Sequence, residues 1–299
     1  MNELHRLIIL SLLIFASIAV VRGQDDEVVS VDSSIVLMNA TILDSQRRHV
    51  PGLTQKQFSV FENGVEQEIT FFAAESTPFA AVILLDTSGS MEARVTLARA
   101  AAIRFLDGLR STDNAAIYAF DSKVSLIQSF SNSRDVTEKI FDLKADGMTV
   151  LNDAIYEAAG ELNKRPEKRR AIIVLSDGMD TTSKRSNDKA LKAALATNAL
   201  IYTIDMTGTA TPAVQRVQNQ ATLKKFAEKT GGTFVSTPGG VAMREAFRKI
   251  ADELGVQNTI GYQPSASARD GKWRTLELKV AKPNLTIRTR KGYNAEKGK

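Results

Sequence analysis

The spacing of apolar residues changes twice along the chain. From Ala80 four compact runs recur, "AAVILL", "AAIYAF", "AIIVL" and "ALIYTI", each apolar at nearly every position. Short runs of this kind suit strands covered on both faces. Helical spacing lies between most of them. Ala98, Ala102, Phe105 and Leu109 recur every three or four residues, as do Leu151, Ile155, Ala158 and Leu162, and later Met243, Phe247, Ile250 and Leu254. Close behind the second run, "VSLIQSF" reads as an edge strand joined by a hairpin. Strands alternating with helices predict a mainly parallel, doubly wound α/β sheet with helices on both faces.

The flanks read differently. "EVVSVDSSIVLMNATIL" is rich in β-branched residues, and "FSVFENGVEQEITFF" places two short strands around Asn63-Gly64, a tight-hairpin signal. After Gly255 the strand texture returns in "NTIGYQP", "RTLELKV" and "LTIRTRKGY". Each flank offers about three strands, too few to bury a core alone. The two flanks are therefore expected to form one small β-sandwich with the α/β block inserted in it. The boundaries follow from these changes of texture: 24–77 and 257–299 for the halves of the sandwich, and 78–256 for the inserted domain.

Ahead of residue 24, Arg6 precedes an apolar run from Leu7 to Val21, 15 residues long. A spanning helix needs about 20 residues. Residues 1–23 therefore read as a signal peptide cut after Gly23, with small side chains at Val21 and Gly23. An uncleaved membrane anchor is the alternative. The expected location is outside the cytoplasm: periplasmic, cell-surface or secreted.

Three strand ends carry candidate chemistry. "AVILLDTSGSM" runs an apolar strand into Asp86, followed by Ser88 and Ser90 around Gly89, which would let the turn be tight. "LSDGMD" puts Asp177 just after the third run, and "ADGMTVLNDAIYEA" puts Thr149 before a helix. In an open α/β sheet these loops share one rim, beyond the carboxyl ends of the strands, where ligands bind. Carboxylates and hydroxyls are hard oxygen donors, suited to Mg²⁺ (or Mn²⁺ or Ca²⁺) rather than zinc. The competing reading is plain helix capping by Asp86, Ser88 or Ser90. Asp153, Asp180 and Asp205 read as turn or capping residues.

The Asp-x-Ser-x-Ser motif, the later Thr and the later strand-end Asp resemble the metal-ion-dependent adhesion site of von Willebrand factor type A domains, as in integrin inserted domains. The resemblance implies a metal set of Asp86, Ser88, Ser90, Thr149 and Asp177. It also implies that the Asp86 and Asp177 strands lie side by side. Ser88, Ser90 and sometimes Thr149 would touch the ion, with the acids direct or through water. Met148 departs from the glycine common before that Thr. "VPGLTQKQFSVFENGVEQEITFF", "GYQP", "DGKWRTLELKV" and "RKGYNAE" further resemble a secreted type A-related family described from acidobacteria. What these resemblances imply is an exported, non-enzymatic adhesion module that takes an Asp or Glu of a protein partner through the bound metal.

Composition removes several other readings. The chain has no cysteine, so disulfides, thiolate metal sites and cysteine nucleophiles are excluded. His5 would leave with the signal, and His49 stands remote from the rim. Neither G-x-S-x-G nor a phosphate loop occurs, so a Ser-His-Asp hydrolase has little support. An Asp86 phosphatase nucleophile would want a second acid where Ser88 stands. A metal-dependent hydrolase and a metal-independent envelope scaffold remain the alternatives. The formal charge of +5 is spread out, apart from Lys164–Arg170, read as a solvated loop. No aromatics interleave that run, so no nucleic-acid partner is expected. Trp273, Tyr262 and Tyr293 read as anchors of the β-domain, with carbohydrate stacking as the alternative.

Overall fold

In the computed structural model the structure describes residues 35–74, 77–208, 211–236, 240–264 and 270–295. The signal-peptide reading of 1–23 lies outside them, as does the strand texture before Ile35. Four strands come first: β1 (Val36–Leu43), β2 (Phe58–Glu62), β3 (Val65–Gln67) and β4 (Ile69–Ala73). The β2–β3 turn holds Asn63 and Gly64 at φ 49° and 82°, the left-handed pair that such a hairpin needs.

The α/β block then runs β5 (Phe79–Asp86), α1 (Val95–Asp107), β6 (Asn114–Phe120), β7 (Val124–Ser131), α2 (Leu151–Asn163), β8 (Arg169–Ser176), α3 (Asn187–Ala196), β9 (Ala199–Asp205), α4 (Ala213–Thr230), β10 (Phe234–Ser236) and α5 (Gly240–Val256). Its six strands lie in the order β10-β9-β8-β5-β6-β7, parallel except for the β6–β7 hairpin. Along β5, Ala81, Ile83 and Leu85 pack with α1 and α5, while Ala80, Val82 and Leu84 pack with α2 and α3. Burial on both faces explains the unbroken apolar runs. Strand order reverses between β5 and β8, which pair directly from Phe79–Arg169 to Leu85–Leu175.

β11 (Asn258–Tyr262), β12 (Trp273–Val280), β13 (Thr286–Arg288) and β14 (Gly292–Asn294) complete the chain. They interleave with the first four strands in two antiparallel sheets, β13-β1-β11-β4 and β14-β12-β2-β3. Met38, Val60, Ile260, Tyr262 and Leu278 share the apolar layer between these sheets. The expected sandwich of N- and C-terminal segments is thus present, with four strands from each end rather than three. "EQEITFF" and "LTIRTRKGY" each break into strands that belong to different sheets.

The sandwich sits against the amino ends of the parallel strands and the carboxyl ends of the helices. Arg288 Nε donates to Gly231 O at the end of α4 (3.1 Å), and Arg290 reaches Leu195 O in α3 (2.9 Å). The basic run is not merely a solvated loop. Arg169 is fully buried and donates to Thr259 Oγ1 at 3.1 Å, Ala74 O at 2.9 Å and Gln257 O.

Candidate functional site

Asp86 ends β5 fully buried and gathers donors around itself. Ser88 N–H and Oγ–H both donate to Oδ1, at 2.9 and 2.6 Å, and Ser176 Oγ–H donates to Oδ2 at 2.5 Å. Ser88 Oγ lies 3.2 Å from Ser90 Oγ. These hydroxyls do not cap a helix. Ser88 makes no side-chain cap bond to the short turn Gly89–Met91, and α1 starts only at Val95. Gly89 keeps an ordinary φ, and a Cβ on it would meet Gly147 O at 3.5 Å, so the turn does not require glycine there.

Backbone bonds tie the three loops together. Gly89 N–H donates to Gly147 O (3.2 Å) and Asp146 N–H to Thr87 O (2.8 Å). Thr181 and Thr182 N–H both donate to Thr149 O, at 2.9 and 3.1 Å. Thr149 is buried, yet its own hydroxyl has no hydrogen-bond partner among the described residues. Asp177 follows β8 and accepts from Met179 N–H at 3.0 Å on Oδ1; no donor among the described residues reaches its other oxygen. Gly178, at φ 82°, lets the chain turn where a Cβ would stand 2.5 Å from Asn219 O.

Burial pushes the Asp86 carboxyl up to about 6. Hydrogen bonds from Ser176 and Ser88 oppose this, and the negative charge of Asp177 adds to it. Among the described residues no three acidic or histidine side chains converge. The donor set at the rim is two carboxylates and three hydroxyls, all oxygen. Asp86, Ser88 and Ser90 are in direct contact, and Thr149 and Asp177 stand on the loops bonded around them. Ser176 was missed by sequence reasoning, although it sits beside Asp177 in "LSDGMD".

Three further acids of this end have both carboxylate oxygens hydrogen-bonded. Asp153 accepts from Lys184 N–H, Arg185 N–H and the Arg185 guanidinium, at 2.9, 2.9 and 3.2 Å. Asp180 takes Asn152 N–H (3.1 Å) and Ser183 N–H (3.2 Å). Asp205 holds Thr207, Gln220 and Ser236, with Gln220 at 2.7 Å. His49 bridges Leu43 in the sandwich. Tyr262 is buried there, and its hydroxyl and that of Tyr293 both donate to Glu62. Trp273 lies against Gly292 and is 42% exposed, a half-exposed anchor of β12.

Residues 81–179 match the family model of the von Willebrand factor type A domain. An uncharacterised protein of Synechocystis sp. is 25% identical over 190 residues, covering 60% of this chain and 43% of that protein. An uncharacterised protein of Borreliella burgdorferi is 23% identical over 204 residues, covering 60% of each. The chain thus spans less than two thirds of the length of either relative. Among solved structures, a von Willebrand factor type A protein from Catenulispora acidiphila has a TM-score of 0.51 at 16% identity, over 89% of this chain and 64% of that one. Proximal thread matrix protein 1 of the mussel byssus has a TM-score of 0.50 at 15% identity, over 65% of this chain and 51% of that one. These likenesses are of fold. The stretch that carries Asp86, Ser88, Ser90, Thr149 and Asp177 is a von Willebrand factor type A domain.

Proposed function

We propose that the chain is an exported, non-enzymatic binding module whose rim holds Mg²⁺, or Mn²⁺ or Ca²⁺, and through it captures an Asp or Glu of a protein partner. One observation carries this reading. The Ser88 hydroxyl turns to Asp86 and lies against that of Ser90 instead of capping a helix, while Asp177 and Thr149 keep oxygen positions unused on the adjoining loops. An all-oxygen set with two acids fits a hard divalent cation. Ser88, Ser90 and Thr149 would hold it, with Asp86 and Asp177 direct or through water. Two carboxylates and neutral hydroxyls leave such a cation room for one external carboxylate. Ser176 keeps Asp86 oriented, and the Gly89–Gly147 bond keeps the first and second loops in register. Export follows from the apolar run at 7–21 and from the resemblance of the flanks to a secreted family. Among the described residues no helix is long and apolar enough to cross a membrane.

The test is affinity capture from the native cell envelope with the full chain as bait, with Mg²⁺ and with excess chelator. The partner is expected only with metal, and changing its contact Glu or Asp to the amide should weaken binding as much as chelation does. Equal capture in chelator would replace this reading with a metal-independent scaffold. Turnover on a panel of phosphoesters would replace it with a metal-dependent hydrolase.

A further inference from the structure

We infer that the cleft beside this rim takes the main chain of the partner segment that flanks the metal-bound acid, an inference that rests on the reading above. The cleft has a volume of about 810 Å³ and lies between the loop after β8, the first turns of α2 and α3, and α4. Gly178 and Met179, the two residues after Asp177, form part of its wall, so it adjoins the rim. An extended chain advances about 3.3–3.6 Å per residue, so residues next to a captured acid come within reach of it.

Its lining mixes polar and apolar side chains. Five carboxamides line it: Asn152, Asn187, Gln215, Gln218 and Asn219. Its two charges are already committed, Asp180 to Asn152 N–H and Ser183 N–H, and Lys225 to Asp188 at 2.9 Å. Three of the carboxamides keep one buried atom without a hydrogen-bond partner: Asn152 Oδ1, Asn187 Oδ1 and Asn219 Nδ2. Those atoms are almost wholly covered, but every carboxamide of the lining carries both an NH₂ donor and a C=O acceptor, so the cleft suits a ligand with both kinds of partner. An anion supplies only acceptors and an amine only donors, whereas a peptide main chain presents N–H and C=O in alternation. Glycan hydroxyls could also serve both kinds of atom. A polypeptide is favoured because the metal-bound acid necessarily brings its own main chain to this edge. Val214, 73% exposed on α4, offers apolar surface in the cleft for a flanking side chain.

The probe is a display library of 15-residue peptides with a fixed central Glu and random flanks, selected on the full chain with Mn²⁺. Ala221 lines the cleft and is exposed, so Ala221→Trp fills the cleft without entering the core. Selected peptides should bind at least tenfold more weakly to Ala221→Trp and to Asn187→Ala. N-methylating the amides beside the Glu should weaken them equally. Mn²⁺ titrations and thermal melts of both variants should match the parent. Peptides that need Mn²⁺ but ignore Ala221→Trp and N-methylation would overturn the cleft inference and leave metal capture standing. Peptides lost with Ala221→Trp yet indifferent to chelator would overturn the link to a metal-bound acid. Recovery of no peptide, or cleft-dependent binding of glycans alone, would overturn the inference as well.

Discussion

Arg169 opens β8 and Asp177 follows its other end, and each belongs to a buried polar cluster. At the Arg169 end the charges are closed off by the protein itself. The guanidinium donates to Thr259 Oγ1 and to the carbonyls of Ala73, Ala74, Thr77 and Gln257. Beside it Glu253 accepts from Tyr202 O–H (2.6 Å) and Thr41 O–H (3.1 Å) and pairs with Arg288. At the Asp177 end oxygen atoms are left over: the second Asp177 oxygen, the Thr149 hydroxyl, and the exposed Ser90 hydroxyl, which touches only Ser88 Oγ among the described residues. Both clusters are buried and polar, so burial alone does not separate scaffold from site. What separates them is what meets the acids: Glu253 is paired with Arg288, whereas among the described residues Asp86 and Asp177 accept only from neutral hydroxyls and backbone N–H groups.

The closed cluster should give the largest effect on stability. Arg169→Met keeps the stem but strands several carbonyls and Thr259 between the sandwich and the parallel sheet. The expected loss is about 3–5 kcal/mol, from several unpaired buried groups at about 1–3 kcal/mol each with partial relaxation. That corresponds to roughly ten degrees in Tm for a chain of this size. Differential scanning calorimetry measures it, and metal affinity of the folded fraction should be unchanged. A loss under about 1 kcal/mol would mean that apolar contacts alone join the two layers, and the closed cluster would lose its structural role.

The open cluster should behave in reverse. Asp177→Ala removes one of two carboxylates beside a divalent ion in a partly shielded site. The expected loss is several kcal/mol of Mg²⁺ or Mn²⁺ affinity, to order of magnitude, read by calorimetric titration. Stability in chelator should change little. Among the described residues Asp177 accepts a single hydrogen bond on its carboxylate, and its charge works against that of Asp86, so the metal-free variant should melt at or slightly above the parent. Thr149→Ala should be milder, because water can replace a neutral hydroxyl. A large loss of Tm in metal-free Asp177→Ala would show that this end is as structural as the other.

The open cluster was legible in the sequence because its residues are local punctuation. An acid or a hydroxyl directly after an apolar run marks a strand end, and parallel strands bring such ends to one rim. The adjacency of β5 and β8 was expected only from the family resemblance, and their register bears it out. The closed cluster was not legible. Arg169 sits inside a basic run whose composition reads as solvated, and its partners lie near residues 73–77 and 257–259. Only the packing of the sandwich makes that environment. α4 was also missed, because its apolar positions are sparse: only Asn219, Leu223, Phe226, Ala227 and Thr230 are buried along its 18 residues. Its polar face is what lines the cleft.

Asp153 offers the smallest but sharpest test, because it is a buried acid near the open rim that is nonetheless closed. It stands in the first turn of α2, and three donors from Lys184 and Arg185 occupy its carboxylate. Burial raises its pKa, but those hydrogen bonds and the Arg185 charge outweigh burial and hold the carboxyl below its ordinary value. A carboxyl lowered on folding stabilises the protein above its unfolded pKa, and the contribution fades as pH falls through the folded value. Asp153→Asn keeps one acceptor oxygen and loses the charge. It should therefore cost about 1–2 kcal/mol at pH 7. The gap to the parent should narrow as both proteins are unfolded in urea at steps from pH 5 down to pH 3. Metal affinity at pH 7 should stay at the parent value, because the Arg185 guanidinium already meets the charge of Asp153. A tenfold fall in that affinity would make Asp153 part of the site, and pairing of an acid with a basic side chain would no longer tell scaffold from site.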